Sequence, residues 1–186
     1  MVEILSVRTD DVENCILKSL SSSHVCGIEL RKSHYYLGSA LGEEIQVKRA
    51  LNNLNLAVLI MMRAGLPFGL GLADKLEKNN NVTIIFSNSI ETKDDYSKYD
   101  VLIVADAVIN TGKSILEQIR KTSGTKIIIA TNVISEKYIN LFETFDVFAV
   151  RVSSHSFKGA RIKKILDGKG PDTGDRLFCS SFYSDI

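Results

Sequence analysis

The stretch YDVLIVADAVINTGKSILEQIRK, residues 99–121, decides how the chain is read. An apolar run, VLIVA (101–105), meets Asp106; a turn, AVINTGKS, follows; then KSILEQIRK (113–121) brings apolar residues back at helical spacing. Working outward, the same alternation recurs. Strands are expected at LAVLIMM (56–62), VTIIF (82–86), KIIIAT (126–131) and DVFAV (146–150), each nearly continuous in apolar residues, as strands buried on both faces are. FGLGLADKLEK (68–78) and SEKYINLFE (135–143) read as helices between them, and Gly124 as the stop after residues 113–121. The first 55 residues show no clear strand and look helical from about Ser33 to Leu54. The fold class is α/β, with a mainly parallel central sheet flanked by helices and a helical N-terminal segment.

Composition narrows the function. At 186 residues the chain fits a single domain, 1–186, able to bury most of its apolar surface without disulfides. A net charge of +1, from 23 basic and 22 acidic residues, lacks the clustered excess of a nucleic-acid binder. The densest basic cluster, KGARIKK (158–164), is short. Cys15, Cys26 and Cys179 show no CxxC spacing and His24, His34 and His155 are scattered. These patterns argue for free thiols in a cytoplasmic setting and against a metal cage. The N-terminus lacks the order of a signal peptide, and the most apolar region, Leu54 to Leu70, is broken by Arg63 and Pro67, so no membrane span is expected. The glycines of GLPFGLG do not follow the dinucleotide GxGxxG order.

Ligands in such sheets bind beyond the carboxyl ends of the strands. That singles out MRAGLPFG after the first strand, SNSIETKDDYSKYD after the second and DAVINTGKS after the third, together with the tail DGKGPDTGDRLFCS. AVINTGKS could pass for a triphosphate loop with Ala107 in place of its first glycine. Val108 and Ile109 are too stiff for that loop, and no later strand supplies an acid for Mg²⁺. A better fit is a phosphate monoester cradled by backbone N–H groups and the hydroxyls of Thr111 and Ser114, with Gly112 allowing close approach. Asp106 would then accept hydrogen bonds from two sugar hydroxyls. A capped helix beside a satisfied Asp remains the plain alternative.

VLIVADAVINTGKS resembles the phosphoribosyl diphosphate (PRPP) motif of the phosphoribosyltransferases. Its single acid, after Ala105, is similar to the uracil phosphoribosyltransferases, whose loop reads close to DPMLATGGS. MMRAGLPFGLGL (61–72) resembles that family's LRAGLGMxDG, and GPDTGDRLFCS (170–180) its GDAGDRxFGT. Three motifs in order give the likeness its weight.

The resemblance implies transfer of a phosphoribosyl group from PRPP to uracil, giving UMP and pyrophosphate. Arg63 and Asp106 are the implied catalytic residues: Arg63 on the pyrophosphate, in a turn that the family strains and closes with a cis peptide, and Asp106 on the ribose. Asp106, Ala107, Val108, Ile109, Asn110, Thr111, Gly112, Lys113 and Ser114 would form the PRPP loop, and Asp172 would face PRPP from the base side. Leu166, Pro171, Asp172 and Thr173 would read uracil, largely through main chain in a small C-terminal base-binding region. Gly174 completes that motif, while Asp175 and Arg176 are expected to hold the loop together. Mg²⁺ is expected to arrive on the diphosphate rather than in a protein cage, and at least a homodimer is implied.

Departures accompany the match, beginning with Lys113 in place of the loop's second glycine. Asn88 stands where the family has an Arg for PRPP, leaving only Lys93 and Lys98 nearby. Pro171 removes a backbone donor, and Thr173 adds a side chain to a tight pocket. They leave open a phosphoribosyltransferase of different base preference, and a non-catalytic protein that binds UMP or PRPP.

Overall fold

The computed structural model describes residues 2–87, 94–154 and 171–179. Its strands are β1 (Val2–Ile4), β2 (Asn55–Ile60), β3 (Asn81–Phe86), β4 (Asp94–Asp95), β5 (Val101–Ile109), β6 (Thr122–Ser123), β7 (Lys126–Ser135) and β8 (Asp146–Ser153). The helices are α1 (Asp10–Ser19), α2 (Gly27–Lys48), α3 (Leu66–Leu76), α4 (Lys113–Arg120) and α5 (Thr173–Phe178), with a 3-10 helix over Glu136–Phe142. Six strands form one sheet in the order β1-β8-β7-β5-β2-β3, every pairing parallel, and β4 and β6 make a separate two-stranded ribbon. The α/β class with a parallel sheet is therefore observed.

Strand order places the site. From β2 the chain steps outward to β3, returns past β2 to β5, then proceeds the other way through β7 to β8. The direction reverses between β2 and β5, so the connections leaving them diverge and open a crevice at their carboxyl ends.

Both faces of the sheet are covered. On one, Leu56, Val58, Ile60, Ile103 and Phe148 pack with Leu37 and Leu41 of α2 and Phe68 and Leu72 of α3. On the other, Leu59, Leu102, Val104 and Ile129 meet Ile115 and Ile119 of α4 and Phe142 of the 3-10 helix. Each fully buried aliphatic contributes roughly 1.5–3 kcal/mol. Two glycines explain how closely α2 and α3 pack. A Cβ on Gly38 would lie 2.0 Å from the Phe68 carbonyl oxygen, and one on Gly71 would lie 2.0 Å from that of Tyr35. The glycines around residue 70 thus serve helix packing.

The N-terminal region departs from expectation. It contains a strand, β1, and two helices, the longer beginning at Gly27 rather than Ser33. VEI is too short to show alternation; it is fixed by parallel pairing with β8 and by Glu3, which ion-pairs with Arg49 and Lys48. Arg49 also reaches Asp146 through two contacts of 2.5 Å, tying the end of α2 to β8. Helix α1 starts where Thr9 caps it, accepting from the Val12 N–H at 3.3 Å, with Asp10, Asp11 and Glu13 in its first turn.

Other differences are local. Among the described residues β3 is an edge strand paired only to β2, and it is half-exposed, with Ile84 and Phe86 open, rather than buried on both faces. β5 runs on past Asp106 to Ile109, and β7 and β8 also extend beyond their apolar runs. Residues 136–142 wind as a 3-10 helix. α4 stops at Arg120, capped by Lys121; Gly124 (φ +84°) serves instead in the turn between β6 and β7. Among the described residues no helix is long and apolar enough to cross a membrane.

Candidate active site

A cavity of about 620 Å³ opens over the carboxyl ends of β2, β5, β7 and β8, a volume typical of small-molecule sites. The α1–α2 loop and the segment from Pro171 to Arg176 enclose it.

The first wall is the β2–α3 turn. β2 ends at Ile60, and the Met62–Arg63 peptide is cis. The Met62 N–H donates to Ser87 Oγ at 2.9 Å. A Cβ on Gly65 would fall 2.4 Å from the Met61 carbonyl oxygen and 3.0 Å from that of Ala105, so a glycine is needed for this turn to lie against β5. Arg63 projects into the cavity half-exposed, and its Nη2 bonds Asp175 Oδ1 at 2.6 Å.

The second wall is the end of β5. Asp106 lies within the strand and faces the cavity; the turn proper is Asn110–Gly112. Burial pushes the Asp106 carboxyl up to about 7, opposed by the N–H groups of Val108 and Ala107, which donate to it, and reinforced by the charge of Asp172. Gly112 takes the left-handed conformation (φ +71°) that starts α4, close against the Phe142 ring.

The structure brings Arg63, Asp106, Val108, Ile109, Asn110 and Ser114 to one cavity with Pro171, Asp172 and Thr173. Ala107 is fully buried in β5 and could offer only main chain. Thr111, Gly112 and Lys113 do not line the cavity, although they belong to the turn beside it. Leu166, Asn88, Lys93, His155 and the KGARIKK cluster lie outside the described residues. Lys98 stands over the Tyr99 ring at 5.0 Å, away from the cavity lining.

The third wall is α5. Asp172 caps it, accepting from the Gly174 N–H at 2.7 Å. A Cβ on Gly174 would come within 3.1 Å of the Arg63 guanidinium, so the absence of a side chain leaves room for Arg63 beside this turn. Arg176 is buried, and donates to the carbonyl oxygens of Leu20 (2.9 Å), Val25 (2.9 Å) and Lys18 (3.3 Å). It fastens α5 to the α1–α2 loop, whereas Asp175 holds Arg63.

Sequence reasoning missed the fourth wall. Asn132 and Ser135 on β7, Arg151 and Ser153 on β8 and His34 on α2 all face the cavity. His34 is 1% exposed and held neutral, its pKa lowered to about 3 by burial and then by Arg176 and Arg151. The signal lies in the sheet itself: β7 and β8 also end at its carboxyl edge, where ligands bind.

Comparison with known proteins accords with this geometry. Residues 28–180 match the family model described as uracil phosphoribosyltransferase. The chain belongs to that family, which supports a phosphoribosyltransferase. No curated protein sequence matches it. Among solved structures, the AQ2163 protein from Aquifex aeolicus is similar with a TM-score of 0.69 at 17% identity, covering 98% of this chain and 100% of that one. The hypoxanthine-guanine phosphoribosyltransferase of Schistosoma mansoni in complex with IMP gives 0.48 at 16% identity, covering 66% of each chain. The purine phosphoribosyltransferase of Pyrococcus horikoshii Ot3 gives 0.46 at 15%, covering 79% of this chain and 86% of that one.

Proposed function

We propose that the protein transfers the phosphoribosyl group of PRPP to a pyrimidine base, uracil in the family's own reaction, releasing pyrophosphate. One observation carries the reading: Asp106, beside the turn that starts α4, faces the same cavity as Arg63 in the cis turn after β2. A ribose held at Asp106 would then have its 5′-phosphate toward the α4 turn and its diphosphate toward Arg63.

In the reaction a ring nitrogen of the base forms a bond to C1 of the ribose. The bond from C1 to the diphosphate oxygen breaks, its electron pair leaves with the diphosphate, and the ring N–H proton is lost. Fixing both partners removes much of the entropic barrier, and Arg63 offsets the charge that develops on the leaving group. Asp106, ionised, would accept from the ribose hydroxyls. A Mg²⁺ ion carried on the diphosphate would supply further charge neutralisation. Two carboxylates, Asp106 and Asp172, face the cavity closely enough for one to raise the pKa of the other, a donor set that suits such a cation.

The test is pyrophosphate release from PRPP with Mg²⁺, comparing uracil, cytosine, orotate, hypoxanthine and no base. Release that depends on a base and is lost in Asp106→Asn supports the proposal. Silence with every base, alongside saturable binding of UMP, would leave a nucleotide-binding protein on this fold.

A further inference from the structure

The fourth wall of the cavity has polar groups in excess of its own needs. Both ring nitrogens of His34, the Asn132 Oδ1, the Ser135 Oγ and the Arg151 Nε are buried and make no hydrogen bond among the described residues. His34, Asn132 and Ser135 are themselves 1%, 1% and 3% exposed. Among the described residues no carboxylate pairs with Arg151, and the ionisable side chains acting on His34 are Arg151 and Arg176. Arg151 is partly buried, and its Nε, like the unmade hydrogen bonds around it, is disfavoured without a partner. Together these groups suit an anionic substituent on a ligand, flanked by neutral hydrogen-bonding groups.

Strand order says which anion. If the ribose lies over β5 and the diphosphate over the β2 turn, the attacking base must approach from the side opposite the leaving group. In the order β2-β5-β7-β8 that side belongs to β7 and β8, and Val108, Val133 and Arg151 are consecutive register partners across it. β8 lies two strand spacings from β5, roughly 10 Å, about the span of a ring carrying a substituent beyond the ribose. That arrangement assigns the 5′-phosphate to the α4 turn and the diphosphate to the β2 turn, which leaves Arg151, on the second strand from β5, to the base. Neutral uracil, with no charge, would leave the guanidinium unpaired.

We propose, on the phosphoribosyl-transfer reading above, that the acceptor is a six-membered nitrogen ring bearing a carboxylate, and that Arg151 is the residue that selects it. The planar guanidinium fork suits a carboxylate. Asn132, Ser135 and neutral His34 flank it with one-proton donors and acceptors for the ring edge. The carboxylate takes no part in bond making; it orients the ring so that its nitrogen faces C1.

Calorimetric titration of the full chain with orotidine 5′-monophosphate and with UMP tests this directly, because the two nucleotides differ only by a ring carboxylate. Wild type should prefer the carboxylated nucleotide by about tenfold or more, the scale of one charge-assisted bidentate contact. Arg151→Gln should bring that ratio near one, and Arg151→Lys should restore part of it. Equal or tighter binding of UMP by wild type, or a preference that persists in Arg151→Gln, overturns the assignment of Arg151 while leaving the transfer reading intact. If neither nucleotide binds, the transfer reading falls and the acceptor proposal falls with it. The wild-type comparison decides the matter even should the glutamine variant fail to fold.

Discussion

Arg63 and Asp175, 112 positions apart in sequence, meet at 2.6 Å across the mouth of the cavity. The pair joins the turn after β2 to α5 and holds the guanidinium in the cavity that Asp106 also lines. Arg63 is half-exposed, so the contact adds less than about 1 kcal/mol to stability. Its value is orientation. Asp175→Asn should therefore weaken PRPP binding roughly three- to tenfold. Arg63→Gln should weaken it further, by about a hundredfold, and Arg63→Lys should recover little because it lacks the fork. Titration of the variants with PRPP checks the order; equal affinity in all of them would remove Arg63 from the site.

Asp106 sets a pH dependence whose sign is fixed by its environment. Burial raises its carboxyl to about 7, so the folded protein retains a proton that the unfolded chain loses near pH 4. The stability associated with the protonated form is complete below about pH 4 and is lost as pH rises through 7. At about 1.4 kcal/mol per pKa unit the upper bound is on the order of 4 kcal/mol. Asp106→Asn should match wild type in denaturant melts at pH 4 and exceed it at pH 8. The same variant should bind PRPP at least about a hundredfold more weakly, because it removes the charged acceptor for the ribose hydroxyls. A variant less stable than wild type at pH 8 would contradict the burial argument.

Gly112 and Phe142 couple the turn at α4 to the 3-10 helix. Gly112 has φ +71°, and a Cβ there would lie 2.5 Å from the Phe142 ring. Gly112→Ala faces both the left-handed penalty of about 1 kcal/mol and a clash with a fully packed ring. A loss of about 2–4 kcal/mol is expected in urea denaturation. Adding Phe142→Ala should relieve the clash, so the double variant should lose less than the sum of the singles.

The legible part of the chain was its central strands. VLIVA and KIIIAT are buried on both sides, and a continuous apolar run reports that burial directly. VTIIF looks the same, but lies at an edge, because composition does not encode how many neighbours a strand has. β1 was invisible since three residues with Glu3 in the middle carry no period; long-range pairing makes it a strand. In the site, Asp106, Arg63 and the Asp172 loop stood out because each belongs to a motif of contiguous residues. His34, Asn132 and Arg151 come from three separate elements, α2, β7 and β8, and only the sheet order brings them to one wall. Arg176 looked like a loop residue, and nothing local marks it as the most deeply buried charge at the site.

That burial makes Arg176 the strongest stability determinant of the enclosing segment. Its guanidinium donates to three carbonyl oxygens of the α1–α2 loop and its approach, and these acceptors have few alternatives once covered by α5. Arg176→Met conserves most of the volume but abandons those acceptors, which costs about 1–3 kcal/mol each when unmet; water entering the gap would reduce the total. A net loss of about 3 kcal/mol in chemical denaturation is expected, together with faster amide exchange in residues 18–25. Arg176→Lys should lie between the two, because one ammonium can satisfy only part of a three-carbonyl ring. If Arg176→Met instead melted with wild type while ligand binding disappeared, Arg176 would be acting on the ligand and not as the fastener between α5 and the loop.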